Sequence, residues 1–189
     1  SLDQKACVLT LACLVFIISL QISTNLANDF FDAKSGADAN RKNAPERLVS
    51  SGKLSPTLVI NVAIGLLIFS FCIGVFIVLY SDSSFLLFPL GIICILLALI
   101  YTGGPFPLAY NGLGDVFVIL FFGMVAVEVT KYVLCSASNV HFSYDLDISI
   151  SVGLLLNNLL VVNNYRDFET DKAVRKNTSI VLLGREFGI

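Results

Sequence analysis

Two stretches of this chain carry oxygen ligands at helical spacing beside long apolar runs. The first is Asn28-Asp29-Phe30-Phe31-Asp32-Ala33-Lys34-Ser35-Gly36-Ala37-Asp38. A helix that runs on past Asn28 puts Asn25, Asp29 and Asp32 on one face, with Asn28 beside them. The second is Asn163-Asn164-Tyr165-Arg166-Asp167-Phe168-Glu169-Thr170-Asp171-Lys172, in which Asn163, Asp167 and Asp171 recur at every fourth residue. Crowded carboxylates repel one another unless a cation neutralises them. Each acidic face is followed closely by Lys and Arg. Carboxylates that hold Mg²⁺, Mg²⁺ that holds phosphate oxygens, and basic side chains that take up the rest of the charge make a site for a diphosphate. A solvated collar of internal ion pairs would explain one such motif, but it explains two on the same side poorly. A cation pathway would explain the acids, but not the ten basic residues near them.

The elements that must position these residues are membrane helices. The chain has 189 residues, 56% hydrophobic and 14% charged, with a mean hydropathy of +0.84. A soluble domain carries about a quarter charged residues. Five apolar runs stand out: Lys5–Ala27, Leu58–Tyr80, Phe85–Tyr101, Leu113–Leu134 and Ile148–Asn164. Each is long enough to cross about 30 Å of hydrocarbon as a helix, the third and fifth only just. The runs do not alternate apolar and polar, and a barrel needs many more segments. The fold expected is therefore all-α, a multi-span transmembrane helix bundle. Polar or Gly/Pro-rich connections are expected at 28–56, 81–84, 102–112 and 135–147.

Charge sets the orientation. Lys34, Arg41, Lys42, Arg47 and Lys53 follow the first run; Arg166, Lys172, Arg175, Lys176 and Arg185 follow the last. Four spans lie between the two basic segments, so both face one side, which the positive-inside rule makes cytoplasmic. The five cysteines lie in or beside apolar runs without metal-ligand spacing and read as packing residues. His141 reads as a loop residue.

On these motifs the chain resembles the UbiA superfamily of intramembrane aromatic prenyltransferases. The superfamily's Asn-Asp-x-x-Asp motif stands as Asn28-Asp29-Phe30-Phe31-Asp32, and its Asp-x-x-x-Asp motif as Asp167 to Asp171. Within the superfamily the chain is most similar to the dihydroxynaphthoate polyprenyltransferases of menaquinone synthesis. The residues that carry this are Tyr101-Thr102-Gly103-Gly104-Pro105, Pro107-Leu108-Ala109-Tyr110-Asn111-Gly112-Leu113-Gly114-Asp115 and Asn163-Asn164-Tyr165-Arg166-Asp167. The hydroxybenzoate branch usually carries Lys and Arg in the loop where this chain has uncharged Gly-Gly-Pro. The resemblance covers essentially the whole chain and implies one transmembrane prenyltransferase domain over residues 1–189. The family has about nine helices, so five spans imply a piece incomplete at both ends. The chain departs from the family pattern at Glu128 and Lys131, which either pair at i, i+3 or mark a drifting sequence. Arg175 stands where Gly is common, and Asn177 where a basic residue is common.

The resemblance implies transfer of a polyprenyl group from polyprenyl diphosphate to 1,4-dihydroxy-2-naphthoate, with loss of diphosphate and carbon dioxide. Hydroxybenzoate or another aromatic acceptor is the alternative within the class. A membrane transporter, or an inactive remnant, is the alternative outside it. The implied metal is Mg²⁺, held by Asp29, Asp32, Asp167 and Asp171, aided by Asn28 and Asn163, with Asp38 acting through water or orienting a basic residue. Asn25, Lys34, Arg41, Arg47, Arg166, Lys172 and Lys176 are the candidates for the diphosphate. Tyr101, Tyr110 and Phe106 are candidates for an aromatic wall around an allylic cation, or are ordinary interface aromatics. Asp115 either contacts the acceptor or caps the fourth helix. The expected surroundings are a lipid bilayer, the inner membrane of a prokaryotic-type cell, with both Asp motifs on the cytoplasmic side. No nucleic-acid partner is expected.

Overall fold

The computed structural model describes residues 4–36, 46–103 and 106–188. Asp38 and Arg41 lie outside these residues. Helix α1, Gln4–Ser35, carries the first apolar run straight through the first acidic motif. Residues 28–35, expected as loop, are therefore helical, because nothing before Gly36 (φ 79°) breaks the pattern. Helix α2, Pro56–Ser81, starts where Ser55 accepts a hydrogen bond from the Leu58 N–H and Pro56 pre-sets the first turn. Helix α3, Leu87–Thr102, starts two residues later than the apolar run and ends at Gly103. Helix α4 covers Gly114–Ala137, with a π-helical segment at Ile119–Val125. Helix α5, Leu146–Arg166, leads into the short α6, Phe168–Ala173. The short α7, Ser179–Leu183, is capped by Thr178. Among the described residues there is no strand, only an isolated bridge between Asn111 and Asn177.

Four helices (α1, α2, α4 and α5) are long and apolar enough to cross a membrane, and the apolar part of α3, Leu87–Tyr101, is shorter. Large side chains such as Leu11, Ile68, Leu155 and Leu159 are exposed on the bundle's outside. That is the inverse of a soluble protein, and it suits a lipid surround in which each helix satisfies its own backbone.

The helices alternate in direction, so α1, α3 and α5 end, and α2 and α4 begin, at one pole. Helices α1 and α2 form the closest long pair, with the buried Ser23 donating to the Ala63 carbonyl at 2.7 Å. At the opposite pole Leu9, Cys13, Ile77, Val133 and Ala137 pack together. Helices α4 and α5 cross backbone to backbone at Gly123 and Gly153. A Cβ on Gly123 would stand 2.5 Å from the Ser149 carbonyl oxygen, and one on Gly153 2.8 Å from the Ile119 carbonyl oxygen. Only residues without a side chain permit this approach, a common device for membrane helices. The π-helical segment of α4 lies at the same crossing.

Candidate functional site

The pole at which α1 ends collects the acidic motifs. Asp29 and Asp32 are almost fully buried there, at 3% and 4% exposure, as is Asp171 at 4%. Asp29 accepts from the backbone N–H groups of Leu48 (2.9 Å) and Val49 (3.4 Å). It thereby ties down the turn that carries Arg47. Asp32 accepts from the Tyr110 hydroxyl at 2.7 Å, and that hydroxyl also meets Ser35 Oγ at 2.9 Å. Arg47 Nη2 lies 3.8 Å from Asp32 Oδ2.

The two motifs meet at Lys176. Its ammonium stands 3.6 Å from Asp32 Oδ2 and 3.8 Å from Asp171 Oδ1. It also lies over the Tyr110 ring, 5.1 Å from the centroid. Lys176 is placed by its backbone: the N–H of Asn177 donates to the Tyr110 carbonyl at 3.0 Å, and the N–H of Lys176 to the Asp171 carbonyl at 2.8 Å. Arg175, just before it, takes a positive φ of 57°. This is a left-handed conformation that glycine adopts more readily than any other residue. Burial pushes the Tyr110 phenol above its ordinary pKa, and the charge on Asp32 pushes it further. Tyr110 thus remains a neutral O–H donor to Asp32.

The second motif bends between two helices. Asp167 ends α5 and opens α6, yet the backbone bonds Asp167 N–H to Asn163 O and Asp171 N–H to Asp167 O, both 2.9 Å, preserve the four-residue ladder. Arg166 donates to both oxygens of its neighbour Asp167, at 2.8 and 2.9 Å. Asn163 and Asn28 are partly buried beside the acids.

Other candidates are placed elsewhere. Asn25 is exposed on α1 and accepts from Gln21 at 3.4 Å. Lys34 is exposed in the last turn of α1. Lys172 is exposed and lies over the Phe168 ring, 5.6 Å from its centroid. Phe106 is 57% exposed. Helical periodicity assigns residues to a face but not the direction of that face. Tyr101 is partly buried, with its hydroxyl against Gly114. Glu128 and Lys131 do not pair with each other. Glu128 accepts from the Asp145 N–H at 3.1 Å and from the Ser149 hydroxyl, while Lys131 binds the Ser143 carbonyl at 2.6 Å and the Asp145 carboxylate. Sequence reasoning missed Ser35, Asn157 and the N–H groups of Leu48 and Val49. Only Asn157 leaves a signal in sequence, an amide in the middle of an apolar run.

Among the described residues no three His, Cys, Asp or Glu side chains are grouped as a ready metal site. The donor chemistry nonetheless fits a hard cation, since the buried groups are carboxylates flanked by amides. One ammonium already stands between the carboxylates of the two motifs.

The model of the UbiA prenyltransferase family matches residues 3–189. The chain belongs to the UbiA prenyltransferase family. Among UbiA relatives, the 1,4-dihydroxy-2-naphthoate octaprenyltransferase of Haemophilus influenzae is 37% identical over 177 residues, covering 91% of this chain and 56% of the relative. The enzyme of the same name from Mycobacterium leprae is 38% identical over 174 residues, covering 92% and 57%. The 2-carboxy-1,4-naphthoquinone phytyltransferase of Synechocystis is 26% identical over 165 residues, covering 87% and 51%. The chain thus spans about half the length of the curated UbiA relatives it matches. No solved structure matches it.

Proposed function

We propose that the protein transfers a polyprenyl group from polyprenyl diphosphate to 1,4-dihydroxy-2-naphthoate, with release of diphosphate and carbon dioxide, giving demethylmenaquinone. The observation that carries this reading is Lys176, poised between a carboxylate of each acidic motif at one pole of an apolar helix bundle. The names of the relatives support the naphthoate acceptor.

Breaking an allylic C–O bond leaves negative charge on the diphosphate and positive charge on the prenyl carbon. Asp29, Asp32, Asp167 and Asp171, with Asn28 and Asn163, are the residues that would hold Mg²⁺, which when bound supplies positive charge to the departing diphosphate. Lys176 and Arg47, both next to Asp32, are the protein's own cations for that charge. Tyr110 keeps Asp32 in place through its hydroxyl and offers its ring to the cationic side. An apolar groove of about 340 Å³ between α2 and α3, lined by residues such as Ile64, Phe71, Ile92 and Leu99, suits an apolar chain. The bundle would lie in the inner membrane of a prokaryotic-type cell, with the acidic pole in the cytoplasm.

The test uses membranes containing the full-length protein, polyprenyl diphosphate, and either dihydroxynaphthoate or 4-hydroxybenzoate, with and without Mg²⁺. Mg²⁺-dependent product from the naphthoate alone is expected. Product from hydroxybenzoate alone overturns the acceptor, and product without divalent metal overturns the metal.

A further inference from the structure

Asp115 has two readings from sequence, a helix cap or an acceptor contact, and the structure removes the first. Leu113 stands at the N-cap of α4, and no side chain caps that end. Asp115, in the first turn, accepts instead from Asn157 Nδ2 on α5 at 3.0 Å. A carboxylate accepts and does not donate, so the pairing dictates which end of the amide faces it. Asn157 Oδ1 therefore points away from Asp115, and it is buried without a hydrogen-bond partner among the described residues. A buried oxygen in that state is costly, and it calls for a donor that the described residues do not supply.

The pair adjoins the acidic pole. Gly114 brings the Tyr101 hydroxyl close, 3.2 Å from where a Cβ would stand. The Tyr101 phenol thus stands beside the residue that precedes Asp115.

We propose that the Asp115–Asn157 pair receives a ring hydroxyl of the aromatic acceptor: the hydroxyl donates to Asn157 Oδ1, and the Asp115 carboxylate holds the amide in the orientation that presents that oxygen. The proposal rests on the prenyl-transfer reading above. An unpartnered amide oxygen beside a negative charge selects a hydroxyl donor and repels a carboxylate. A hydroxylated aromatic acceptor is therefore oriented with a hydroxyl toward α4 and α5. The side chain of Tyr101 lies alongside. The pair thus makes the hydroxyl pattern of the ring a condition for binding, and Gly114 keeps room for Tyr101.

The experiment measures steady-state kinetics of the full-length protein in membranes. Substrates are polyprenyl diphosphate with dihydroxynaphthoate, or with each naphthoate that lacks one of the two ring hydroxyls. Asp115→Asn and Asn157→Leu are each expected to raise the acceptor KM about tenfold or more, while the diphosphate KM moves by less than about twofold. The wild-type preference between the two monohydroxy acceptors is expected to shrink toward unity in both variants. An unchanged acceptor KM, or equal shifts in both KM values, overturns the assignment. Should Asn157→Leu fail to accumulate, the nearly isosteric Asp115→Asn decides. A wild-type protein that prenylates no aromatic acceptor overturns the prenyl-transfer reading, and this inference with it. An active wild type with unaffected variants overturns this inference alone.

Discussion

The two poles of the bundle both hold charged residues, and they use them differently. Glu128 lies roughly 20 Å along α4 from its acidic-pole end. There Lys131 is paired directly with Asp145, and Glu128 takes the Asp145 N–H and the Ser149 hydroxyl, which fastens the connection between α4 and α5. Lys5 and Asp82 likewise join α1 to the turn after α2 at 2.9 Å. At the acidic pole one ammonium is shared by Asp32 and Asp171 at 3.6 and 3.8 Å, with Arg47 at a similar reach. Direct pairs between consecutive elements hold a fold together. Loosely shared cations between buried acids from distant parts of the chain indicate a site that handles charge.

The comparison breaks most sharply at Asp32. Asp32→Asn is expected to lower prenyl transfer by roughly a hundred- to a thousandfold, with the protein still inserted and folded, as read by turnover and by a thermal scan in detergent. Near-normal turnover would make the acidic pole merely structural. Lys176→Met comes next, with an expected loss of about tenfold to a hundredfold in kcat/KM for the diphosphate substrate, measured at saturating acceptor. Gly153→Val tests the crossing of α4 and α5. Its side chain would collide with the backbone of α4, and a loss of about 1–3 kcal/mol in stability is expected from equilibrium unfolding in detergent. The smallest effect belongs to the other pole. Lys131→Met breaks a half-exposed pair, so less than about 1 kcal/mol is expected, with turnover unchanged. A turnover collapse there would erase the contrast between the poles.

Much of this was legible in advance. Hydropathy alone set the membrane class and the five helical runs, because apolar stretches of that length have no other stable place in water or lipid. The spacing within Asn28–Asp32 and Asn163–Asp171 identified both acidic motifs, and an even number of spans between them placed them at one pole. The exposed members of these stretches show where this reasoning ends. Asn25, Lys34 and Lys172 share stretches with the buried acids, yet each faces outward.

By itself the sequence determined composition, period and topology, which are properties of neighbours along the chain. Only the tertiary structure decided that Lys176 stands between Asp32 and Asp171, that Asp29 grips the N–H groups of Leu48 and Val49, and that Asn157 reaches Asp115. The physical reason is that, apart from the local contact of Lys176 with Asp171, these bonds join residues from 19 to more than a hundred positions apart, through the rotation of each helix about its axis. That rotation is set by contacts such as Gly123 on Gly153 and Phe31 over Gly103. No local pattern encodes it, because it exists only once the helices have packed.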